Sequence, residues 1–145
     1  MAGYLDTYAF IGKGWSFPPE FDLSTTNNRM VTGAVDISES LMMILSTTPG
    51  DRVMFPKYGC GINKMVFTAG NNIQFTFMKN LIRNAITLYE QRVDLLDITV
   101  TPDDNNLDLL YVHVEYVIRE TNSRGNLVYP FYLTEGTNVS VKLLK

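Results

Sequence analysis

Cysteine occurs once in this 145-residue chain, at Cys60, and histidine occurs once, at His113. Cys60 lies in the stretch Pro56-Lys57-Tyr58-Gly59-Cys60-Gly61-Ile62, flanked by two glycines. A thiol on a Gly-flanked bend has the form of an exposed nucleophile, and such a nucleophile needs a neighbouring base. His113 is the only imidazole, and it falls on the polar side of a strand-like stretch far along the chain. No local cysteine-protease signature accompanies Cys60. The competing reading is a small apolar residue at a sharp corner, where Gly59 and Gly61 supply the unusual backbone angles. The residues favour the corner.

Other chemistries lack their parts. Neither Gly12-x-Gly14 nor Gly59-x-Gly61 follows a parallel strand and opens a helix with a third glycine or a Lys-Ser/Thr pair, so neither cradles phosphate. One Cys and one His cannot build the usual Cys/His zinc site within one chain, and no EF-hand spacing occurs. No cofactor or metal is expected. Glycoside hydrolysis requires two carboxylates facing each other across a cleft, one with a raised pKa. Glu20, Glu39, Glu90, Glu115 and Glu120 all stand where a surface acid or a helix cap is expected. The residues present no constellation for catalysis, and the expectation is a protein that is not an enzyme.

Composition narrows the partners. The chain is 46% hydrophobic and 19% charged, within the globular range and far from disorder. Net charge is −3, and the twelve Lys and Arg are scattered. Nucleic-acid binding draws on clustered cations, so nucleic acid is not an expected partner. The longest oily run, Leu41–Ser46, is too short to span a bilayer, and the N-terminus lacks the form of a secretory signal. A single cysteine forms no internal disulfide.

The elements read as one α+β domain over 1–145, with two main helices packed on a mostly antiparallel sheet of three to four strands. Residues 1–35 read as an irregular lead in which Trp15 and Phe17 wrap over the core. Asp36-Ile37-Ser38-Glu39 has the form of a capping box opening a helix over about 36–47, stopped by Pro49-Gly50. Val53-Met54-Phe55 reads as a short extended piece, and 62–67 as one helical turn. A long helix runs from Asn71-Asn72 to about Tyr89, with Phe77, Met78, Leu81, Ile82, Ala85, Ile86 and Tyr89 on its apolar face. Strands follow over 93–101, 110–118 and 127–133, with a last one over 139–144. In the second, Leu110, Val112, Val114, Tyr116 and Ile118 share the buried face.

Two features ask for more than this. Glu90-Gln91-Arg92 ends the long helix with opposite charges two residues apart. It is either a frayed turn in which Arg92 complements the helix dipole, or a polar contact point. Val128, Tyr129, Phe131 and Tyr132 make a dense apolar strand interrupted by Pro130. It is either a core strand or an edge that accepts a partner's strand.

Several motifs, in order, carry a resemblance. They are Gly12-Lys13-Gly14-Trp15-Ser16-Phe17-Pro18-Pro19, then Leu45-Ser46-Thr47-x-Pro49-Gly50-x-Arg52-Val53-Met54, then Tyr58-Gly59-Cys60-Gly61. Glu90-x-Arg92 and the stretch from Thr121-Asn122-Ser123 through Asn126 to Leu133 complete the set. Together, over about residues 10 to 135, the chain resembles the GPW-type baseplate wedge family of contractile phage tails, phage-tail-like injection particles and type VI secretion systems. The resemblance implies a small α+β structural subunit, six to a baseplate, in particles assembled in the bacterial cytoplasm. It implies contacts with the sheath protein, with other wedge proteins and with tube or hub proteins, and no insertion in a membrane. Sheath assembly would start by strand addition at the C-terminal β region. The family's Glu-Pro-Arg motif matches at Glu90 and Arg92, with Gln91 at the proline. The resemblance therefore points to Glu90, Arg92, Val128, Tyr129, Phe131 and Tyr132 as partner-binding residues. The lysozyme-like label sometimes attached to the family finds no acid/base pair in this sequence.

Overall fold

Three ten-residue strands, β5 (Val93–Pro102), β6 (Leu109–Ile118) and β7 (Ser123–Tyr132), form an antiparallel sheet in the order β5-β6-β7. The computed structural model describes residues 11–24, 27–64, 72–106 and 108–133. Cross-strand partners share a face, so the register assigns every side chain. Val100, Val112 and Tyr129 align on the inner face, as do Ile98, Val114 and Leu127. The five apolar residues expected to be inward on β6 are all buried. β5 carries a bulge between Leu95 and Asp97, which leaves Leu96 half exposed.

Two helices cover the inner face. α1 (Gly33–Ser46) buries Ile37, Leu41, Ile44 and Leu45, and α2 (Asn72–Tyr89) buries Met78, Ile82, Ala85 and Ile86. Spacings of three and four put each set on one stripe, and the two stripes meet the sheet in a single core. The α+β architecture expected from the periodicities is the one observed. The final expected strand, 139–144, lies outside the described residues.

Several local expectations differ from the structure, each for a physical reason. The described part of the lead is not wholly irregular: β1 (Lys13–Trp15) pairs with β4 (Met30–Thr32), and β2 (Phe21–Asp22) with β3 (Asn27–Asn28). Trp15 and Phe17 are exposed on this antiparallel arm rather than wrapped onto the core. Helix α1 begins three residues before the expected cap, because Asp36 bonds to a distant arginine instead of to its own helix terminus. Glu39, the other half of the expected box, accepts the Phe17 backbone N–H at 3.0 Å. Val53-Met54-Phe55 has no ladder partner among the described residues and forms part of an exposed loop. The turn after the Gly-Cys-Gly bend is a 3-10 helix, Gly61–Lys64, and the rest of that expected turn lies outside the described residues. Phe77 is 54% exposed, since the sheet and α1 cover a narrower stripe of α2 than its apolar residues occupy. Strand β7 starts four residues early, because an edge strand can pair through its backbone while Ser123, Arg124 and Asn126 face water.

The glycine-flanked cysteine is a corner in this frame. Gly59 adopts φ +116°, and a Cβ there would lie 2.3 Å from the Thr47 carbonyl oxygen. That carbonyl accepts the Cys60 N–H at 3.0 Å, tying the corner to the end of α1. Cys60 itself is 1% exposed, and burial pushes its thiol up to about 11, a backbone hydrogen bond from Ile62 offsetting this only in part. His113 stands on the outer face of the sheet, bonded to Thr101, so the sheet separates the two. A neutral, buried thiol is a poor nucleophile. Iodoacetamide should therefore label Cys60 at least about a thousandfold more slowly in the native protein than in denaturant, the ratio set by the fraction of open molecules. Labelling at comparable rates in both states would restore the exposed-nucleophile reading.

Candidate functional site

The end of α2 is not frayed. Its last turn closes with the Glu90 N–H on the Ile86 carbonyl, and the chain reverses through Gln91 and Arg92 directly into β5. Glu90 is 4% exposed, and its carboxylate receives Arg92 side-on through Nε to Oε1 and Nη2 to Oε2, both at 2.7 Å. This fork is the strong form of an arginine–carboxylate bond. The Arg92 backbone N–H also points at Oε1, at 3.4 Å. The reversal is thus braced by the side-chain fork between Glu90 and Arg92.

Arg92 reaches further. Its Nη1 donates to Asp36 Oδ2 at 2.6 Å and to the Ile11 carbonyl at 3.3 Å. Asp36 comes from the first turn of α1, and Ile11 from the segment leading into β1. A single guanidinium therefore joins α1, the N-terminal arm and the α2–β5 junction. Its own carbonyl accepts the Arg119 N–H at 2.9 Å, extending the tie to the end of β6. Small residues make the room: a Cβ on Gly12 would lie 3.2 Å from Nη1, and one on Gly14 would lie 2.1 Å from Asp36 Oδ1. The Gly-x-Gly spacing that carried no nucleotide chemistry is the clearance for this bridge.

The electrostatics follow from the geometry. Burial alone would raise the Glu90 carboxyl, but hydrogen bonds from Arg92 and Ser40, with the charge of Arg92, hold it below its ordinary value. The Arg92 guanidinium is raised, first by the Glu90 hydrogen bond and then by Asp36, against the opposing effect of burial. Both groups are ionised at neutral pH. A general acid needs its carboxyl raised, and this one is lowered.

Arg92 also lines an open groove of about 410 Å3, with Lys13, Trp15, Phe17, Pro19 and Met43 on its walls and Asp36 and Ser40 beside it. Among the described residues the only carboxylate lining this groove is Asp36, already bridged to Arg92. A second depression of about 260 Å3 holds Asp94, paired with Arg119 at 2.6 Å. Neither presents two facing carboxylates.

The other four residues expected to meet a partner lie on β7, beyond β6 from this junction. Val128 and Tyr132 face outward and are 43% and 57% exposed. Tyr129 packs against the core and Phe131 is buried in it, so neither side chain is presented at the sheet edge. Sequence reasoning missed Asp36, Gly12 and Gly14. Asp36 looked like a cap, and nothing in its spacing signals a partner 56 residues away.

Arg92→Ala would strand Asp36 and Glu90, two buried carboxylates, without their cation. Breaking a buried pair from one side costs about 3 kcal/mol or more, the lower end applying because Arg92 is partly exposed. The pH dependence should be diagnostic. In the parent, the depressed Glu90 carboxyl contributes stability present above its ordinary value of 4.5 and lost as pH falls through the lower folded value. In Arg92→Ala the buried Glu90 carboxylate loses its cation and burial favours its protonation, so acidification relieves it. Urea titrations should show the deficit of the variant shrinking from pH 7 toward 4.5. A deficit that is absent, or independent of pH, would remove the bridge as a stabilising unit.

Comparison with known proteins gives this arrangement its context. Residues 31–123 match the family described as baseplate wedge protein gp25. The baseplate wedge protein gp25 of Enterobacteria phage T4 is 31% identical over 77 residues, 52% of this chain and 58% of the phage protein. The match thus spans little more than half the length of that curated relative. A solved protein from Geobacter sulfurreducens that bears the label tail lysozyme is 41% identical, with a TM-score of 0.67 over 75% of this chain and all of the other. Chains in the baseplate of the anti-feeding prophage (24% identity, TM-score 0.60, 85% of this chain and 86% of that one) and of contracted pyocin R2 (20%, 0.53, 69% and 97%) share the fold. The family match covers well over half of the chain and the whole α1-to-β6 framework, including Asp36, Glu90 and Arg92, and on it the chain belongs to the family of baseplate wedge protein gp25.

Proposed function

We propose that this chain is a structural wedge subunit of the baseplate of a phage tail or phage-tail-like contractile particle. Six copies per baseplate, assembled in the bacterial cytoplasm, would link the wedge core and its tube or hub proteins to the first ring of sheath. Sheath assembly would begin by addition of a sheath strand to this subunit's sheet. Family membership supports the baseplate setting, and the backbone of β7 carries the strand-addition reading.

That backbone can be read residue by residue. The Leu133 N–H donates to the Asp108 carbonyl at 2.8 Å, which continues the β6–β7 register by one pair. In an antiparallel pair, hydrogen-bonded and non-hydrogen-bonded residues alternate. The odd-numbered residues of β7 therefore bond to β6, and the even-numbered ones aim their N–H and C=O groups away from it. Pro130 is even-numbered, so its missing N–H costs the β6 ladder nothing. Among the described residues β7 has β6 as its only ladder partner. Arg124, Asn126, Val128 and Tyr132 would offer N–H groups to an incoming strand, with Val128 and Tyr132 giving it side-chain surface. The opposite edge, β5, is interrupted by its bulge and carries Asp94 and Asp97, which suits a protected edge.

Glu90 and Arg92 enter this reading as the brace that holds the groove of Trp15, Phe17 and Met43 open to another wedge protein, with Arg92 in its floor. Aromatic, methionine and arginine side chains are those enriched where protein interfaces concentrate their energy.

Val128→Pro tests the edge directly. By the parity above it removes an outward donor and leaves the β6 ladder intact, as Pro130 already does. The variant should melt close to the parent and yield baseplates without attached sheath. Fully sheathed particles from a folded Val128→Pro variant would refute addition at β7. The label on the Geobacter relative raises the enzymatic alternative, a baseplate peptidoglycan glycosidase. It is disfavoured because the carboxylates brought together here, Asp36 and Glu90, share an arginine between them and neither lies opposite a second acid across a cleft. Purified protein should leave a peptidoglycan suspension turbid. Clearing that disappears in a single Glu→Gln variant would overturn the structural assignment.

A further inference from the structure

The loop between α1 and the Gly59 corner exposes apolar side chains that the fold does not use. Val53 and Met54 are 93% and 94% exposed, and Phe55 is 52% exposed. An isolated exposed hydrophobe needs no explanation, but three in succession on a rigid tip do. The tip is held from every side. The Gly50 N–H donates to the Pro56 carbonyl at 2.7 Å, closing the loop across its neck. Below it, Asp51 and Tyr58 donate backbone N–H groups to Thr48 and Phe55, and Lys64 Nζ donates to the Pro49 carbonyl at 2.8 Å. Phe55, Tyr58 and Tyr89 form a ring cluster with centroids 5.0 to 5.9 Å apart, and the Arg52 guanidinium stacks 4.4 Å above Tyr58. A loop fixed this way loses little conformational entropy when it docks.

Charge says what it docks into. Arg52, Lys57 and Lys64 surround the tip, and among the described residues none of them has a carboxylate within ion-pair distance. The acid within the loop itself, Asp51, accepts the Thr48 N–H at 3.1 Å. This is a locally cationic collar on a chain of net charge −3. We propose that Val53 and Met54 form a preorganised knob that inserts into an apolar pocket rimmed by carboxylates on a different subunit of the particle. A second copy of this chain would bring two cationic collars together, which is unfavourable. A lipid surface is the weaker occupant, because a tip of two or three side chains buries too little apolar area for stable anchoring.

The test uses whole particles. With Met54 replaced by p-benzoylphenylalanine, irradiation should give one adduct, to a peptide of another subunit that contains apolar residues and at least one Asp or Glu. Val53→Ser with Met54→Ser should leave the melting temperature unchanged, since neither side chain touches the core. Incorporation of that variant into particles, in competition with the parent chain, should fall about tenfold or more, as loss of a central anchor does. Arg52→Glu with Lys57→Glu should reduce it likewise. An adduct to a second copy, an adduct to a segment without carboxylates, or the absence of any adduct would overturn the proposal. So would unchanged incorporation, a lowered melting temperature of the Val53/Met54 variant, or Val53/Met54-dependent sedimentation with phosphatidylserine–phosphatidylcholine vesicles.

Discussion

The arrangement of this protein turns on one guanidinium held between two buried carboxylates. Asp36 lies more than fifty residues along the chain from Glu90 and Arg92, and the bridge sets how α1 meets the α2–β5 junction. Such a bridge is not where the net stability lies. Each fully buried Leu, Ile or Met contributes about 1.5–3 kcal/mol, and the core holds many of them. The gain from a buried ion pair is largely offset by the loss of hydration. What the charges add here is discrimination. An apolar core tolerates small shifts of α1 over the sheet, whereas a fork with two 2.7 Å bonds and a 2.6 Å bond to a second acid tolerates almost none. The entry of α1, the position of the N-terminal arm and the reversal into β5 are thereby fixed relative to one another.

That rigidity matters for a protein whose proposed work is to present surfaces. A sheet edge accepts a strand only if its N–H and C=O groups are already spaced and aligned. β6, paired with β7 along its full length and with β5 over Leu110–Ile118, supplies that alignment to β7. The exposed features, namely the β7 edge, the groove beside Arg92 and the loop tip, lie on separate parts of the same braced framework. None of them requires a side chain to change its protonation state: Glu90 and Arg92 are held as ions and Cys60 as a neutral thiol.

How far the sequence reached depended on whether the determinant was local. Periodicity located α2 and the three strands, because a stripe at 3.6 or an alternation at 2 is written in neighbouring residues. The inward set on β6 was legible for the same reason. Asp36 and Glu39 show the opposite case. Their spacing has the form of a reciprocal helix cap, yet the carboxylates bind Arg92 and the Phe17 N–H, neither of which is local. The N-terminal arm was illegible because its strands are two or three residues long and its Gly and Pro content reads as irregular. In the candidate site, Glu90 and Arg92 were named through a motif, but Asp36, Gly12 and Gly14 became visible only once distance in space replaced distance in sequence.

The same distinction separates a buried charge cluster that holds a fold from one that performs catalysis. Both kinds gather ionisable groups in a protected place near a groove, so proximity alone does not tell them apart. The direction of the shift does. An acid–base site needs a group that its surroundings make reluctant to ionise, so that a proton can be delivered near neutral pH. Here every carboxylate in the cluster faces the same cation, Glu90 is held below its ordinary value, and Arg92 is held above its own. The surroundings deepen each group's resting charge instead of bringing it close to exchange. A site built this way has no proton to give at neutral pH. It resists movement, which suits the proposed work of presenting surfaces in fixed positions.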